Sequence, residues 1–334
     1  MGDSGTTQGE PNLSRRTFLA GATAAAAGMA ATAGRGLLAR TPPAQRGARP
    51  DRSLVVQARS EHIVEGRVVQ EHMLKEMLDW CLTRLTRTST PKEAWRQFLR
   101  PDDVIGLKFN RSGAAGLGTT PAFVEALVRC LADAGWAPQN IVPIEVPETV
   151  YGSTGTTRPS TDWDDEEVDF GSGRDRLSSV LRQITALINV PFLKTHNITG
   201  MTGCLKNLSH ALVKHPARFH DNNCCPYIGD IVALPQIRDK LKLNIVNALR
   251  LVFDGGPEAR DDLTWESGIV IAGFDPVAVD TVGLELLNRT RKSLRLPYVD
   301  RRQGKVAYLG AASERGLGCS RLHRIEVAKR LLQA

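Results

Sequence analysis

A short stretch that ends an apolar run offers most of the chemistry in this chain. Lys194 and His196 stand two positions apart, so in extended backbone both side chains point to the same side. A turn rich in threonine and glycine follows, and after it a helix start carries Lys206 and Asn207. Backbone N–H groups at such a turn and lysine ammonium groups both attract anions. We therefore expect a small anionic ligand, such as a phosphate or a carboxylate, to bind here.

Further residues extend this predicted pocket. Lys108 ends an earlier apolar strand, where an unpaired buried charge would be costly, so it is a third candidate cation. His196 is assigned as a proton shuttle. His210, His215 and His220 lack such a neighbouring cation and are given no role. The residues assigned to catalysis are Lys194, His196 and Asp254. Those assigned to ligand binding are Lys108, Asn110, Thr199, Thr202, Lys206, Asn207 and Asp280.

Two aspartates are candidates for binding a metal ion or for balancing the lysines. Asp254 follows a strand-like run and precedes two glycines, a setting that suits either a ligand site or a simple turn. Asp280 lies among apolar residues of a helix and needs a partner, either a lysine or a divalent cation shared with Asp254. We expect Lys194, His196, Lys206 and both aspartates to converge at one end of a sheet.

The elements that must position these residues follow a strand, glycine loop, helix, strand order. The pattern predicts strands over 104–109 and 141–146 around a helix over 120–134, which is a βαβ unit. It predicts further strands at 186–190, 243–253 and 268–272, helices at 68–85, 177–184, 227–241, 277–287 and the C-terminus, and an acid-rich loop within 148–175. The predicted fold class is a single α/β domain, its mostly parallel or mixed sheet covered by helices on both faces.

Several of these segments resemble a known family. The Asn-x-Pro-x-x-Lys-x-His pattern at 189–196 and the Thr-Gly-x-x-Lys-Asn pattern at 202–207 are similar to motifs of the domain of unknown function 362 family. Segments at 104–110, 253–257 and 274–280 extend the resemblance over about 104–318. The resemblance implies no settled activity. Some relatives carry ferredoxin-like iron–sulfur modules, but this chain lacks the Cys-x-x-Cys-x-x-Cys run of such modules.

The cofactor is left open by the sequence. None of the six cysteines (Cys81, Cys130, Cys204, Cys224, Cys225 and Cys319) has zinc-finger or ferredoxin spacing. An iron–sulfur cluster would require the fold to bring the last four together, so it is the less favoured alternative. A divalent metal ion held by Asp254 and Asp280 is the other candidate.

The N-terminus has the order of a twin-arginine export signal. Arg15 and Arg16 precede an uncharged run of small residues that ends at Ala33, the predicted cleavage site. We predict a signal peptide over 1–33, a linker rich in Arg, Pro and Gly over 34–52, and the α/β domain over 53–334. The apolar run is too short and too weakly hydrophobic for a permanent membrane span. The implied partners are the twin-arginine translocase and signal peptidase, and the implied location is periplasmic or otherwise exported.

The net charge of +7 does not indicate nucleic-acid binding. Four arginines without an acid lie in 34–50, and 37 basic residues face 34 acidic ones from Asp51 onward, so the domain itself is nearly balanced. Only 5% of residues are aromatic, which leaves little for base stacking. Two function classes remain: a cofactor- or metal-dependent enzyme or redox protein that acts on a small anion, and an exported protein that binds such an anion without chemistry.

Overall fold

The computed structural model describes residues 52–299 and 304–333. The predicted signal peptide, with Arg15, Arg16 and Ala33, and nearly all of the predicted linker lie outside the described residues. The described residues build one domain in which strands and helices alternate along much of the chain.

The strands and helices have the following bounds. The strands are β1 (Ser53–Ser60), β2 (Val64–Glu65), β3 (Val68–Val69), β4 (Ile105–Lys108), β5 (Ile141–Ile144), β6 (Trp163–Asp169), β7 (Arg174–Ser178), β8 (Ala186–Asn189), β9 (Phe192–His196), β10 (Gly200–Thr202), β11 (Leu241–Val252), β12 (Thr264–Gly273) and β13 (Ile325–Leu332). The helices are α1 (Glu71–Thr86), α2 (Pro91–Arg96), α3 (Ala114–Leu117), α4 (Thr120–Ala134), α5 (Thr149–Thr154), α6 (Val180–Gln183), α7 (Cys204–Ser209), α8 (Tyr227–Val232), α9 (Pro235–Arg238), α10 (Pro276–Ser293) and α11 (Ala307–Glu314).

Within the described ranges, nine strands form one mixed sheet with the order β13-β1-β12-β11-β8-β4-β5 along its main path. The long strand β11 pairs in parallel with β8 along its first part and with β9 along its second part. Strand β10 then pairs with β9 as an antiparallel hairpin. The strands β5, β4, β8 and β9 therefore run in the same direction, and their carboxyl ends lie along one edge of the sheet.

Helices cover both faces of this sheet, which confirms the predicted fold class. The neighbouring residues Val55 and Val56 of β1 belong to two different buried clusters, as expected when successive strand residues point to opposite faces. One cluster includes apolar residues of α7, α8, α10 and α11, and the other includes those of α1, α2 and α4.

The helix predicted over 120–134 is confirmed as α4, and the shorter helix α2 begins with a side-chain cap. Pro121 lies in the first turn of α4, and Gly135 ends that helix with a φ of +115°, which a residue with a side chain rarely adopts. The Thr90 hydroxyl accepts a hydrogen bond from the backbone N–H of Glu93 at the start of α2.

Three predicted elements are wrong. The C-terminus is not a helix but strand β13, which pairs in parallel with β1 over its whole length. The segment 148–175 contains α5 and most of a hairpin of β6 and β7, so its acidic residues line a strand and not a loop. The helix predicted over 227–241 is broken into α8 and α9 because Pro235 cannot continue the first helix. In each case the local composition favours one secondary structure, but long-range strand pairing or a proline produces another.

No helix in the part of the chain that the structure describes is both long enough and apolar enough to cross a membrane.

Candidate functional site

A buried row of polar side chains crosses the carboxyl edge of the sheet. Lys108, Asn189 and Asn244 are in register on three adjacent parallel strands and all three are fully buried. Asn207 of α7 lies across the row: its amide nitrogen donates to the Lys108 carbonyl (3.0 Å) and to Asn189 Oδ1 (2.8 Å). Asn189 in turn donates to Asn244 Oδ1 (2.9 Å). Buried amides satisfied in this way hold α7 in one position over the sheet.

The charge of Lys108 is balanced at the edge of this row. Its Nζ donates to Glu145 Oε2 (2.9 Å), to the Phe109 carbonyl (2.5 Å) and to Asn207 Oδ1 (3.1 Å). Burial lowers the pKa of Lys108, while the carboxylate of Glu145 opposes that shift. All three donor sites of the amine are occupied. Lys108 therefore organises the site from behind, and no N–H of its amine is left for a ligand.

Glu145, which sequence analysis missed, is held in an unusual backbone conformation. It follows β5 with a φ of +61°, a region that non-glycine residues seldom occupy. Its carboxylate also accepts the backbone N–H of Arg111 (3.1 Å), so it links the ends of β4 and β5. Such strain is retained where surrounding contacts require it.

Asn110, a predicted ligand residue, connects the row to β9. Its side-chain nitrogen donates to Asn207 Oδ1 (2.6 Å), and its oxygen accepts the backbone N–H of Phe192 (2.7 Å). It thus fixes the start of the strand that carries Lys194 and His196.

Lys194 is buried without a carboxylate within ion-pair distance among the described residues. Its Nζ donates to the carbonyl (2.5 Å) and to the hydroxyl (3.2 Å) of Ser112. The carboxylate of Glu258 accepts from the Ser112 hydroxyl (2.7 Å) and the Gly113 N–H (3.1 Å), so its charge acts on the Lys194 amine across a gap and without a direct hydrogen bond. Burial lowers the pKa of Lys194 to about 8. The serine and glutamate were not anticipated from the sequence.

Thr202 lies directly opposite Lys194 across the β9–β10 hairpin. Directly opposed residues of an antiparallel pair point to the same side, so the threonine hydroxyl and the lysine stem are neighbours. The hydroxyl is buried and has no hydrogen-bond partner within the described ranges of the chain. Thr199, by contrast, uses its hydroxyl to bond the Met201 carbonyl (2.9 Å) within the same hairpin.

Lys206 points toward His220, which was given no role from the sequence, and toward Cys224, which was a candidate only for the less favoured iron–sulfur cluster. Its Nζ lies 3.3 Å from His220 Nε2, and the Cys224 side chain is a further hydrogen-bond partner. The pKa of Lys206 is lowered to about 8, mainly by burial. Cys224 opposes this shift, and the charge of Lys194 contributes to it. His210 packs edge-on against His220, with ring centroids 4.6 Å apart.

His196 is neutral in this setting, which does not favour the predicted proton-shuttle role near neutral pH. Burial and the charge of Lys206 lower its pKa to about 3. Its Nδ1 accepts the backbone N–H groups of Ile198 (3.1 Å) and Thr199 (3.4 Å), so the neutral ring carries its proton on Nε2. The ring also stacks on His220 with a centroid separation of 6.2 Å. His196 is thus suited to donate a hydrogen bond.

Asp280 finds its partner in the backbone and not in a lysine. Its two carboxylate oxygens accept the N–H groups of Cys204 (2.5 Å) and Leu205 (3.0 Å) at the start of α7. Gly203 allows this approach, because a Cβ at that position would lie 2.2 Å from Asp280 Oδ1. Asp280 therefore anchors the helix that carries Lys206 and Asn207.

Asp254 lies in a separate, open part of the edge. It pairs with Arg291 (2.9 Å), and it lines a cleft of about 1090 Å³ together with His196 and Glu258. The structure does not bring Asp254 and Asp280 into one group of metal ligands in its described part. The group that it does bring together consists of His210, His220 and Cys224. The six cysteines are all free.

The fold and this edge define a class: a mixed α/β domain with a buried cluster of lysines and histidines at the carboxyl ends of parallel strands. The family model of "Domain of unknown function (DUF362)" matches residues 105–285, which is more than half of the chain and includes the cluster. The chain belongs to this family.

Comparison with solved structures gives a distant likeness. A protein from Thermotoga maritima, solved in crystals by the Northeast Structural Genomics Consortium, is similar with a TM-score of 0.33 and 11% sequence identity. The match covers 70% of this chain and 61% of that chain, so this chain spans about three-fifths of its length. No curated protein matches this sequence.

Proposed function

We propose that this protein binds a small anion, of the phosphate or carboxylate type, beside Lys194 at the carboxyl edge of the sheet. One observation carries the proposal: Lys194 and Thr202 face each other in a buried position, and among the described residues the amine has no carboxylate partner and the hydroxyl no partner. An ammonium group out of water requires compensating negative charge. An anion would supply that charge and would also accept the threonine hydroxyl.

The surroundings support the same ligand class. Lys206 and Lys108 both lie close enough to Lys194 for their charges to act on one another. Three amines that repel one another are stabilised together by a bound anion. His196 borders the adjacent cleft and offers a neutral donor, so a bound anion would meet donors on more than one side. Catalysis is not required for this function.

The test is isothermal titration of metal-free protein with inorganic phosphate at low ionic strength. Lys194→Met should weaken phosphate binding about 10- to 100-fold, the worth of a charged hydrogen bond. The same variant should unfold at an equal or higher denaturant concentration without phosphate, because an apolar side chain replaces a buried amine.

Two further variants sharpen that test. Thr202→Val should also weaken phosphate binding yet stabilise the ligand-free fold, since it removes an unsatisfied buried hydroxyl. Lys240→Met is the matched control, because this partly buried lysine donates to the Ile184 carbonyl at the opposite edge of the sheet. Unchanged phosphate affinity in both Lys194→Met and Thr202→Val would refute the proposed function.

We further propose that the protein is exported in folded form by the twin-arginine route. The support is the order of Arg15, Arg16, the uncharged run and Ala33 in the sequence. Replacing both arginines by lysine should leave full-length precursor in the cytoplasm, whereas the wild-type mature protein should begin near Gly34. Cell fractionation with N-terminal sequencing measures both outcomes. Normal export of the double-lysine variant would contradict the route.

A further inference from the structure

We infer that His210, His220 and Cys224 form a binding site for a divalent transition-metal ion of the zinc type. The ligand atoms of these three side chains all lie within 4.8 Å of one another. An ion about 2.0–2.3 Å from each ligand atom would therefore require only small side-chain shifts. Two imidazole nitrogens and one sulfur are a donor set that favours zinc-type ions over magnesium or calcium.

Hydrogen bonds to backbone carbonyls already fix both rings for this role. His220 Nδ1 lies 2.9 Å from the Pro216 carbonyl, and His210 Nε2 lies 2.9 Å from the Phe219 carbonyl. A carbonyl only accepts, so each of these ring nitrogens carries the proton. The lone pairs are thus on His220 Nε2 and on His210 Nδ1, which the Ser209 hydroxyl contacts at 3.1 Å. When an ion binds His210 Nδ1, that hydroxyl can donate to the Lys206 carbonyl at 3.2 Å instead. Metal-binding histidines commonly donate their other N–H to a carbonyl in this way.

The backbone that presents Cys224 supports a functional role for its thiol. Asn222, Asn223 and Cys224 have φ values of 49°, 55° and 62°, three successive non-glycine residues in the left-handed region. Asparagine tolerates this conformation better than most residues, but cysteine has no such preference. Strain of this kind concentrates at sites where it places a side chain for function. Here it brings the buried thiol beside the two histidines.

In this structure the amine of Lys206 lies where the metal ion would bind. Its amine is hydrogen-bonded to both His220 Nε2 and the Cys224 side chain. A metal ion and the lysine amine therefore compete for the same lone pairs. The flexible four-carbon stem of lysine allows the amine to leave when an ion binds. Three protein ligands then leave a fourth position for water or an anion, as in catalytic zinc sites.

The test uses Co²⁺ as a spectroscopic probe on reduced, chelator-treated full-length protein. We expect one equivalent of Co²⁺ to produce a thiolate-to-cobalt charge-transfer band. Cys224→Ser should abolish the band, and His220→Gln should weaken Zn²⁺ binding in competition by at least about 100-fold. The matched control is Cys225→Ser, which changes the adjacent cysteine outside the ligand group and should keep the band. Circular dichroism confirms that each variant is folded.

The Lys206→Met variant tests the metal site independently of the anion site. It should bind Zn²⁺ at least about tenfold more tightly, since the competing positive charge is gone. The cobalt band is measured without phosphate, so the test of the metal site does not depend on the anion proposal. Failure to bind phosphate would leave the metal-site inference unaffected. Folded wild-type protein with no charge-transfer band, or a band that persists in Cys224→Ser, would overturn the inference.

Discussion

Asp280→Ala is expected to lower the free energy of unfolding by about 3–5 kcal/mol at neutral pH. The substitution removes the acceptors of two buried backbone N–H groups, those of Cys204 and Leu205, and each unsatisfied group costs about 1–3 kcal/mol. It also leaves a small cavity in a fully buried part of α10. Chemical denaturation followed by circular dichroism measures the loss.

Asp262→Ala is the matched control for this substitution. Its carboxylate is 61% exposed and pairs with the exposed Arg260, so its removal should cost less than about 1 kcal/mol. Comparable losses in the two variants would show that Asp280 does not anchor α7 in the manner described.

The pH dependence of the Asp280 effect has a defined sign. Burial raises the pKa of Asp280 to about 6, although the two backbone N–H groups oppose the shift. The folded protein then holds a proton that the unfolded chain releases above about pH 4, so stability from this group is full below pH 4 and is lost as the pH rises through 6. The stability difference between wild type and Asp280→Ala should therefore be about 2 kcal/mol larger at pH 4 than at pH 7.

Much of the fold follows from local signals in the sequence. The apolar runs before Lys108 and Lys194 predict buried parallel strands, and a proline and a glycine bound helix α4. Strand β13 could not be predicted in this way, because its residues favour a helix on composition. It becomes a strand through pairing with β1, more than 270 positions earlier in the chain. Such pairing leaves no local pattern.

The candidate site was predictable only in part. Strand ends and a glycine turn indicate Lys194, Lys206 and Thr202, because the carboxyl ends of parallel strands share one edge. Glu145 was missed since its role depends on a left-handed backbone that glutamate does not signal. His210 and His220 were set aside as lone histidines. Cys224 and Cys225 are adjacent in the sequence, and only the fold shows which of them lies beside the histidines.

The polar residues at this edge divide into supporting residues and buried donors whose hydrogen-bonding capacity is not fully used. Asn110, Asn207 and Asp280 have their hydrogen-bonding capacity used by backbone and side chains of the site itself. Lys194 and Thr202 do not. The supporting residues fix the positions of Lys194 and Thr202. Substitutions of the supporting residues should therefore change the stability of the protein more than its affinity for a ligand.

Glu145→Ala is expected to destabilise the protein by about 3–5 kcal/mol, the cost of leaving a buried charge without its partner. The substitution strips the carboxylate from Lys108 Nζ, whose side chain has no solvent exposure. The remaining partners of the amine are the neutral oxygens of Phe109 and Asn207. Denaturant unfolding at neutral pH measures the change.

A double-mutant cycle identifies the unpaired charge as the cause. Lys108→Met alone should cost only about 1 kcal/mol, because the Glu145 side chain is 26% exposed and water can solvate its carboxylate. The double variant should then regain most of the stability lost in Glu145→Ala, with a coupling energy of about 2–3 kcal/mol. Strictly additive losses would mean instead that Glu145 acts through the Arg111 N–H and its own backbone, and that the charge of Lys108 is satisfied without it.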